Sequence, residues 1–540
     1  MVAIINPKVD VVSYGPVLEV EGEDGKKITI TPDEFVYGAA NITYKDTGAL
    51  RELIDKKRNE VDLKDKVKKM LIKVGSAGHA SMATTPGFWG FIEGDSSKFV
   101  DSIFTTAVFG SSLMPSGRRV PITKEAILVP KAIADKGKEL TDLYLKQSEE
   151  NIDTYETLQT RGVPKEEAAK IVQYGHKGGG FMFMPLETLI HFSKLAERDP
   201  DAMPEEGKEV ISQLENFVKE NGMGVTYEAR KQAPRAGCVH PNIFRDVKGL
   251  NENYAEEYVD LTHPLGGVLF SPKLIASNIE RSPELERRLY NYFKKREQVF
   301  SNPESVKNNW KNILGDLEEV VGDFNSTVDI RIASNIPWRV WGEVKRHRTL
   351  SQDTESIYHA VNRAMKKVED NNCTIGSIDN PNFWYPILSL PSTIKNNPEN
   401  LDIWTKEFSN SLNVYKKLID SGVKESEAIA IIPRGIKMMN IKNYDLYNLT
   451  TGYMSLRLCG TAESEMRSIT EQESRLIREI LPKTLGRIIS PKCHYTGFCP
   501  ELDYQGAKCR KVNQEVDFNY DEDIHKTLQS ARIKGIEEKL

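Results

Sequence analysis

Tyr155-Glu-Thr-Leu158-Gln-Thr-Arg-Gly162-Val163-Pro164-Lys-Glu166-Glu167-Ala168 returns further along the chain as Tyr415-Lys-Lys-Leu418-Ile419-Asp-Ser-Gly422-Val423-Lys-Glu-Ser-Glu427-Ala428. The shared Tyr, Leu, Gly, Val, Glu and Ala all keep one spacing, 260 residues. Leu140, Tyr144, Tyr155 and Leu158 recur at near-helical intervals, as do Leu412, Tyr415, Leu418 and Ile419. Gly162 and Gly422 then supply the left-handed residue that closes a helix. Pro164, followed by Glu166 and Glu167, suits the first turn of the next one. Helix–glycine–helix pairs are common, but shared punctuation at a fixed spacing points to duplication.

Each half also carries an upstream block of mixed character. In the first, Ile28-Thr-Ile-Thr31 and Phe35-Val-Tyr37 read as short β-type runs, and Phe99 to Phe109 is apolar with β-branched residues. In the second, Val328-Asp-Ile-Arg-Ile332 alternates with period two, as a half-buried strand does. The boundary falls near 232–260, where Pro234, Gly237, Pro241, Gly249 and a polar Asn-Glu-Asn run break the pattern. Two large α+β halves are therefore expected, 1–240 and 241–540. Asn371 to Pro391 reads as an insertion and the charged segment after Val516 as a flexible tail.

The 540 residues would by themselves allow three or four ordinary domains or two large ones, and the repeat selects two. Hydrophobic residues at 39% and charged residues at 28% exclude a disordered or fibrous chain. A net charge of −5 argues against a general nucleic-acid binder. No apolar run approaches the ~18–20 residues of a membrane span. The opening Met1-Val-Ala-Ile-Ile-Asn-Pro lacks the charged region and apolar core of a signal peptide, so a cytoplasmic location is expected. Six cysteines are too few for a secreted disulfide framework. Cys493, Cys499 and Cys509 gather near His494, but without Cys-x-x-Cys spacing they read as reduced structural residues, with no metal expected.

The sharpest chemical feature is Lys345-Arg346-His347-Arg348-Thr-Leu-Ser351-Gln-Asp353-Thr-Glu355-Ser356-Ile-Tyr358-His359. Forked guanidinium donors suit a phosphate or other anion. A solvated basic turn paired with Glu343 and Glu355 fits the same residues.

Arg346-His347-Arg348-x-x-Ser351-x-x-x-x-Ser356 resembles the signature of the flavin-dependent thymidylate synthases. Downstream, Leu456-Arg457-x-x-x-x-Ala462-Glu463-x-Glu465-Met466-Arg467 resembles that family's second diagnostic helix, and Ile489 to Pro500 its closing segment. In the first half, Gly78-His79-Ala-Ser81 resembles the family's flavin-site turn, and Ser111-x-x-x-x-Ser116-Gly117-Arg118 the back of its signature, whereas Thr106-Ala107-Val108 stands where Arg-His-Arg belongs. The resemblance implies two tandem, divergent copies of one α+β fold, a mixed sheet packed with long helices. It implies a cytoplasmic enzyme that methylates dUMP reductively to dTMP, using FAD, NADPH and methylenetetrahydrofolate. Arg346, His347, Arg348, His79 and Ser81 would hold flavin. Ser116, Gly117, Arg118, Ser356 and Glu343 would bind nucleotide, and Arg457 would act catalytically on the pyrimidine carbonyl. Small molecules, not nucleic acid or membrane, are the implied partners, and a homodimer would mimic the family's tetramer. Each half keeps a motif the other lacks, which implies a composite site.

Some positions depart from the family pattern. Tyr358 replaces a nucleotide-binding Arg, Ile429 and Ala169 stand where another belongs, and Asp353 replaces an Asn. Arg434 is a candidate substitute. These departures leave open an altered pyrimidine acceptor, or a flavin- or nucleotide-binding homologue that has lost methylation and serves in regulation or assembly. Gly175-His-Lys-Gly-Gly-Gly180 lacks the Lys-Ser/Thr of a P-loop and is expected to be a flexible loop. Trp338, Trp341 and Trp384 suit ring stacking or, by default, core packing. His263-Pro264 reads as a turn.

Overall fold

Pairing of the period-two segments produces two sheets of one topology. The computed structural model describes residues 2–539 apart from 23–24, 43–44, 60, 116–119, 235–241, 246–257, 260–267, 270–271, 371–380 and 502–521. One sheet joins β1 (Asn6–Gly15), β2 (Gly87–Asp95), β3 (Ser111–Leu113) and β4 (Gly180–Pro185) in the order β1-β2-β4-β3. The other joins β5 (Lys273–Ile279), β6 (Val328–Pro337), β7 (Ser351–Thr354) and β8 (Lys437–Tyr444) in the order β5-β6-β8-β7. Every neighbouring pair is antiparallel. In β6, Val328, Ile330 and Ile332 are buried and Asp329 is exposed, as the alternation requires.

The principal helices are α1 (Pro32–Asn41), α2 (Lys98–Phe104), α3 (Lys138–Thr160), α4 (Glu205–Glu220), α5 (Trp338–Val344), α6 (Ile357–Asp370), α7 (Pro398–Asp420), α8 (Met454–Arg457) and α9 (Ser464–Ile480). No described helix is long and apolar enough to cross a membrane. Two β-type expectations fail. Phe35-Val-Tyr37 lies in α1, because Thr31 and Glu34 form a reciprocal capping box ahead of it. Most of the Phe99–Phe109 run is α2: Ser97 caps it, and Phe99, Val100, Ile103 and Phe104 fall on one buried helical face.

The chain forms two compact units that cut across the order of the sequence. The first comprises Met1–Phe244, Ile357–Asp379 and Thr393–Ile436; the second comprises Arg245–Ser356, Asn380–Ser392 and Lys437–Leu540. Helix α7, from the second repeat, thus belongs to the first unit. There it packs against α3, and both helices have 23 residues. Gln147 donates to Glu407, and Ser411 Oγ donates to Asn151 Oδ1 at 3.0 Å; both pairs are 260 residues apart. Gly162 and Gly422 end the helices at φ +85° and +78°. Beyond them the backbone exchanges matched hydrogen bonds. Tyr174 N–H donates to Ile432 O and Arg434 N–H to Val172 O, while Gly175 N–H donates to Ala430 O and Gly435 N–H to Lys170 O. Each bond maps onto its partner at the spacing of 260, so the first unit contains a local two-fold axis beside the Gln173–Pro433 bridge.

The glycine run is a close-packed connection, contrary to the flexible loop expected. A Cβ on Gly175 would lie 1.7 Å from the Tyr144 hydroxyl, and one on Gly178 would lie 2.5 Å from Ser97 O. The run therefore serves backbone approach and not phosphate binding.

In the second unit α9 lies on β6. Five of its buried residues (Met466, Ile469, Thr470, Glu473, Ile477) step with the same intervals as five buried residues of α4 in the first (Gly207, Val210, Ile211, Leu214, Val218). This correspondence matters for the site.

Candidate functional site

Strand β6 ends at Pro337, which precedes the first turn of α5 and so aims Glu343 and the following turn, Lys345 to Leu350, toward α8. His347 is 9% exposed. Its Nε2 receives the Arg457 Nε–H at 2.8 Å, so Nδ1 carries the ring proton and donates to Gly452 O at 2.7 Å. Arg457 also donates from Nη1 to Glu343 Oε2 at 2.8 Å and from Nη2 to Glu343 O at 3.2 Å. Among the described residues these bonds commit three of its five N–H groups. Arg339 adds a second cation to the Glu343 carboxylate at 3.7 Å. Burial, then the Arg457 charge, holds the His347 imidazole down at about 4, which keeps it neutral.

Arg346 is exposed and Arg348 half-buried on the same turn. Burial and the neighbouring Arg346 charge hold the Arg348 guanidinium below its ordinary value. Lys345 is turned inward, with Nζ 4.8 Å from the Trp341 ring centroid. The turn thus carries two cations beside a neutral histidine. Glu355, one carboxylate near the turn in sequence, accepts the Met439 N–H at 2.8 Å.

The second unit therefore brings together Arg346, His347, Arg348, Glu343 and Arg457. Ser356 is buried just ahead of α6. His79 and Ser81 are exposed in the first unit, Ser81 opening the short helix Ser81–Thr84. Ser116, Gly117 and Arg118 lie outside the described residues, as do His263 and Cys509. Tyr358 is buried in the first unit, its hydroxyl donating to Ala202 O, and Ile429 is fully buried there. Arg434 does not offer its guanidinium to a ligand as a substitute would: Nε donates to Val172 O at 3.2 Å and Nη2 to Ala169 O at 3.0 Å. Asp353 is paired with Arg331 at 3.2 Å. Trp338, Trp341 and Trp384 are core residues, at most 3% exposed. Burial, with Cys499 and Cys459 nearby, pushes the Cys493 thiol up to about 12. Among the described residues no group of three His, Cys, Asp or Glu is placed to hold a metal ion.

Sequence reasoning missed a polar cluster behind the site. Lys442 and Glu473, both fully buried, form an ion pair, and Tyr444 donates to the same carboxylate at 2.7 Å, as does Ser334. A lysine within the strand-forming run Met438-Met-Asn-Ile-Lys442-Asn-Tyr444 was the available signal.

The sequence model of the thymidylate synthase complementing protein family matches residues 27–220 and 325–483. The flavin-dependent thymidylate synthase of Pyrococcus furiosus is 30% identical over 129 residues, 23% of this chain and 52% of that protein. The Thermococcus onnurineus protein of the same name is 26% identical over the same shares. This chain thus spans about half the length of these curated relatives. Among solved structures, a UMP/dUMP methylase, PolB, from Streptomyces cacaoi bound with 5-Br dUMP is 17% identical, with a TM-score of 0.33 over 44% of this chain and 99% of that one. Flavin-dependent thymidylate synthase ThyX from Helicobacter pylori, complexed with FAD and dUMP, is 13% identical, with a TM-score of 0.27 over 41% and 97%.

Proposed function

This chain belongs to the thymidylate synthase complementing protein family, and on that premise we propose that it is a flavin-dependent methyltransferase converting dUMP to dTMP, with methylenetetrahydrofolate as carbon donor and NADPH as reductant. The observation that carries this reading is the Glu343–Arg457–His347 network on the Arg-His-Arg turn. The donor set suits FAD: Arg346 and Arg348, separated by one residue, would hold its pyrophosphate through forked hydrogen bonds, which would offset the repulsion between the two guanidinium groups. Bound there, FAD supplies the hydride chemistry. Arg457, fixed in direction by Glu343, offers its remaining N–H groups to a pyrimidine carbonyl where negative charge grows when carbon 5 attacks. Neutral His347 fixes Arg457 from the other side without adding a competing cation.

Within the same proposal, His79 and Ser81 join the flavin set, and Ser116, Gly117, Arg118, Ser356 and Glu343 join the nucleotide set. Repeat 241–540, which keeps Arg-His-Arg, and repeat 1–240, which keeps Ser116-Gly117-Arg118, thereby divide the work of a composite site. A homodimer would reproduce the four-copy assembly.

The test begins with the purified protein and its flavin band near ~450 nm, which NADPH should bleach. Tritium release from 5-labelled dUMP with methylenetetrahydrofolate follows. A protein that takes up no flavin sinks the proposal, and unchanged nucleotide affinity in Arg118→Ala sinks its division between repeats. A second reading, a homologue with an altered acceptor or without methylation, is favoured by the burial of Tyr358 and Ile429 at the family's nucleotide-arginine positions. Bound flavin without tritium release would select it.

A further inference from the structure

The Lys442–Glu473 pair occupies positions that the first repeat fills with apolar side chains. Strand register makes the match: Lys442 faces Ile332 and Tyr444 faces Ile330 in β6, as Met182 faces Gly90 and Met184 faces Phe88 in β2. The intervals shared by the buried faces of α4 and α9 align Leu214 with Glu473, one residue off the 260-residue spacing. Met182, Met184 and Leu214 are all buried. The fold therefore accepts an apolar cluster here, and a buried ion pair is commonly no more stable than such a replacement. The charged version accompanies the repeat that carries Arg-His-Arg.

A contact path links the pair to the site. Lys442 Nζ lies 5.6 Å from the centroid of the Tyr453 ring. That ring meets the His347 imidazole edge-on, with centroids 4.9 Å apart. Tyr453 also follows Gly452, whose carbonyl takes the His347 proton, and precedes α8, which carries Arg457. Resting on the flavin reading above, we propose that Lys442, Glu473 and Tyr444 are positioning residues, which fix Tyr453 and through it the His347–Arg457 pair that faces cofactor and pyrimidine. The ammonium holds the ring face, and Glu473 holds the ammonium. An apolar cluster would leave Tyr453, and with it the Gly452 carbonyl, free to shift.

The test installs the first repeat's residues in the second as K442M/Y444M/E473L. Three measurements are made: melting temperature, FAD affinity by fluorescence quenching, and the His347 Nδ1 proton resonance in the flavin-free protein. The expected result is a folded protein with melting temperature kept or raised, FAD bound about ten-fold more weakly, and the His347 proton resonance lost to exchange. Tyr453→Leu, which leaves the ion pair in place, should reproduce both site effects. A folded triple variant with unchanged FAD affinity and resonance overturns the proposal. So does a triple variant that fails to fold, since the cluster would then serve the fold. If the unaltered protein binds no FAD, the functional reading fails, while the His347 resonance still decides the positioning role.

Discussion

His347 shows how one side chain is set by groups remote in sequence. Arg457, 110 residues away, determines the tautomer because its Nε–H can only donate, and Gly452 takes the remaining proton. Burial and the Arg457 charge lower the imidazole from 6.5 to about 4. Between those values the unfolded chain binds a proton that the folded chain refuses, so stability falls as pH drops through this window, by up to about 3 kcal/mol. His176, held down to about 3 by burial and then by Arg434 and Lys98, adds a fall of the same sign. We therefore expect the melting temperature of the unaltered protein relative to His347→Gln to decline from pH 6.5 to pH 4, since the difference isolates this group from the buried carboxyls that titrate in the opposite sense. A variant with an unchanged pH profile would contradict the assigned protonation state. The sequence pointed to His347 through the Arg-His-Arg resemblance but carried no sign of its protonation.

At the scale of elements, α3 and α7 were legible because their signals are local: apolar side chains at helical intervals, closed by Gly162 and Gly422. Phe35-Val-Tyr37 and Phe99 to Phe104 misled for a complementary reason, since β-branched and aromatic content was outweighed by a capping side chain just upstream. The α3–α7 contact offers its own prediction. Burial, then the Glu150 charge, pushes the Glu407 carboxyl up to about 7, against the opposing hydrogen bond from Gln147. The folded state thus retains a proton that the unfolded state loses above pH 4.5, and the contribution of this group to stability falls as pH rises from 4.5 to 7. Glu407→Gln should flatten this fall and raise the melting temperature at pH 8 by a few degrees, about 1 kcal/mol at the low end. An equal fall in the variant would exclude Glu407 as its source.

For the whole molecule, repeat and compact unit are different divisions. Helix α7 is encoded in the second repeat yet contributes buried Trp404, Phe408, Leu412 and Tyr415 to the first unit. At roughly 1.5–3 kcal/mol for each buried large side chain, losing it removes enough to decide whether that unit folds. Residues 1–244 expressed alone should therefore lack a stable monomeric state and should self-associate through α3 and the 170–175 segment, whose natural partner is its own related copy. Co-expression with 245–540 should restore a one-to-one complex. Sedimentation velocity distinguishes these outcomes, and a cooperatively folded monomer of 1–244 would refute the prediction.

By itself the sequence determined that the chain is duplicated, that both copies mix strands with long helices, and that one copy carries a basic Arg-His-Arg turn. Each of these follows from residues close together or at one fixed spacing, where local sterics and periodicity decide. Tertiary structure alone decided that α7 joins the first unit, that Arg457 closes on His347 and Glu343, and that Lys442 finds Glu473 in the interior. Those outcomes depend on burial and on the pairing of distant groups. A buried charge is tolerated only where the fold brings its partner, and no local pattern announces where that will be.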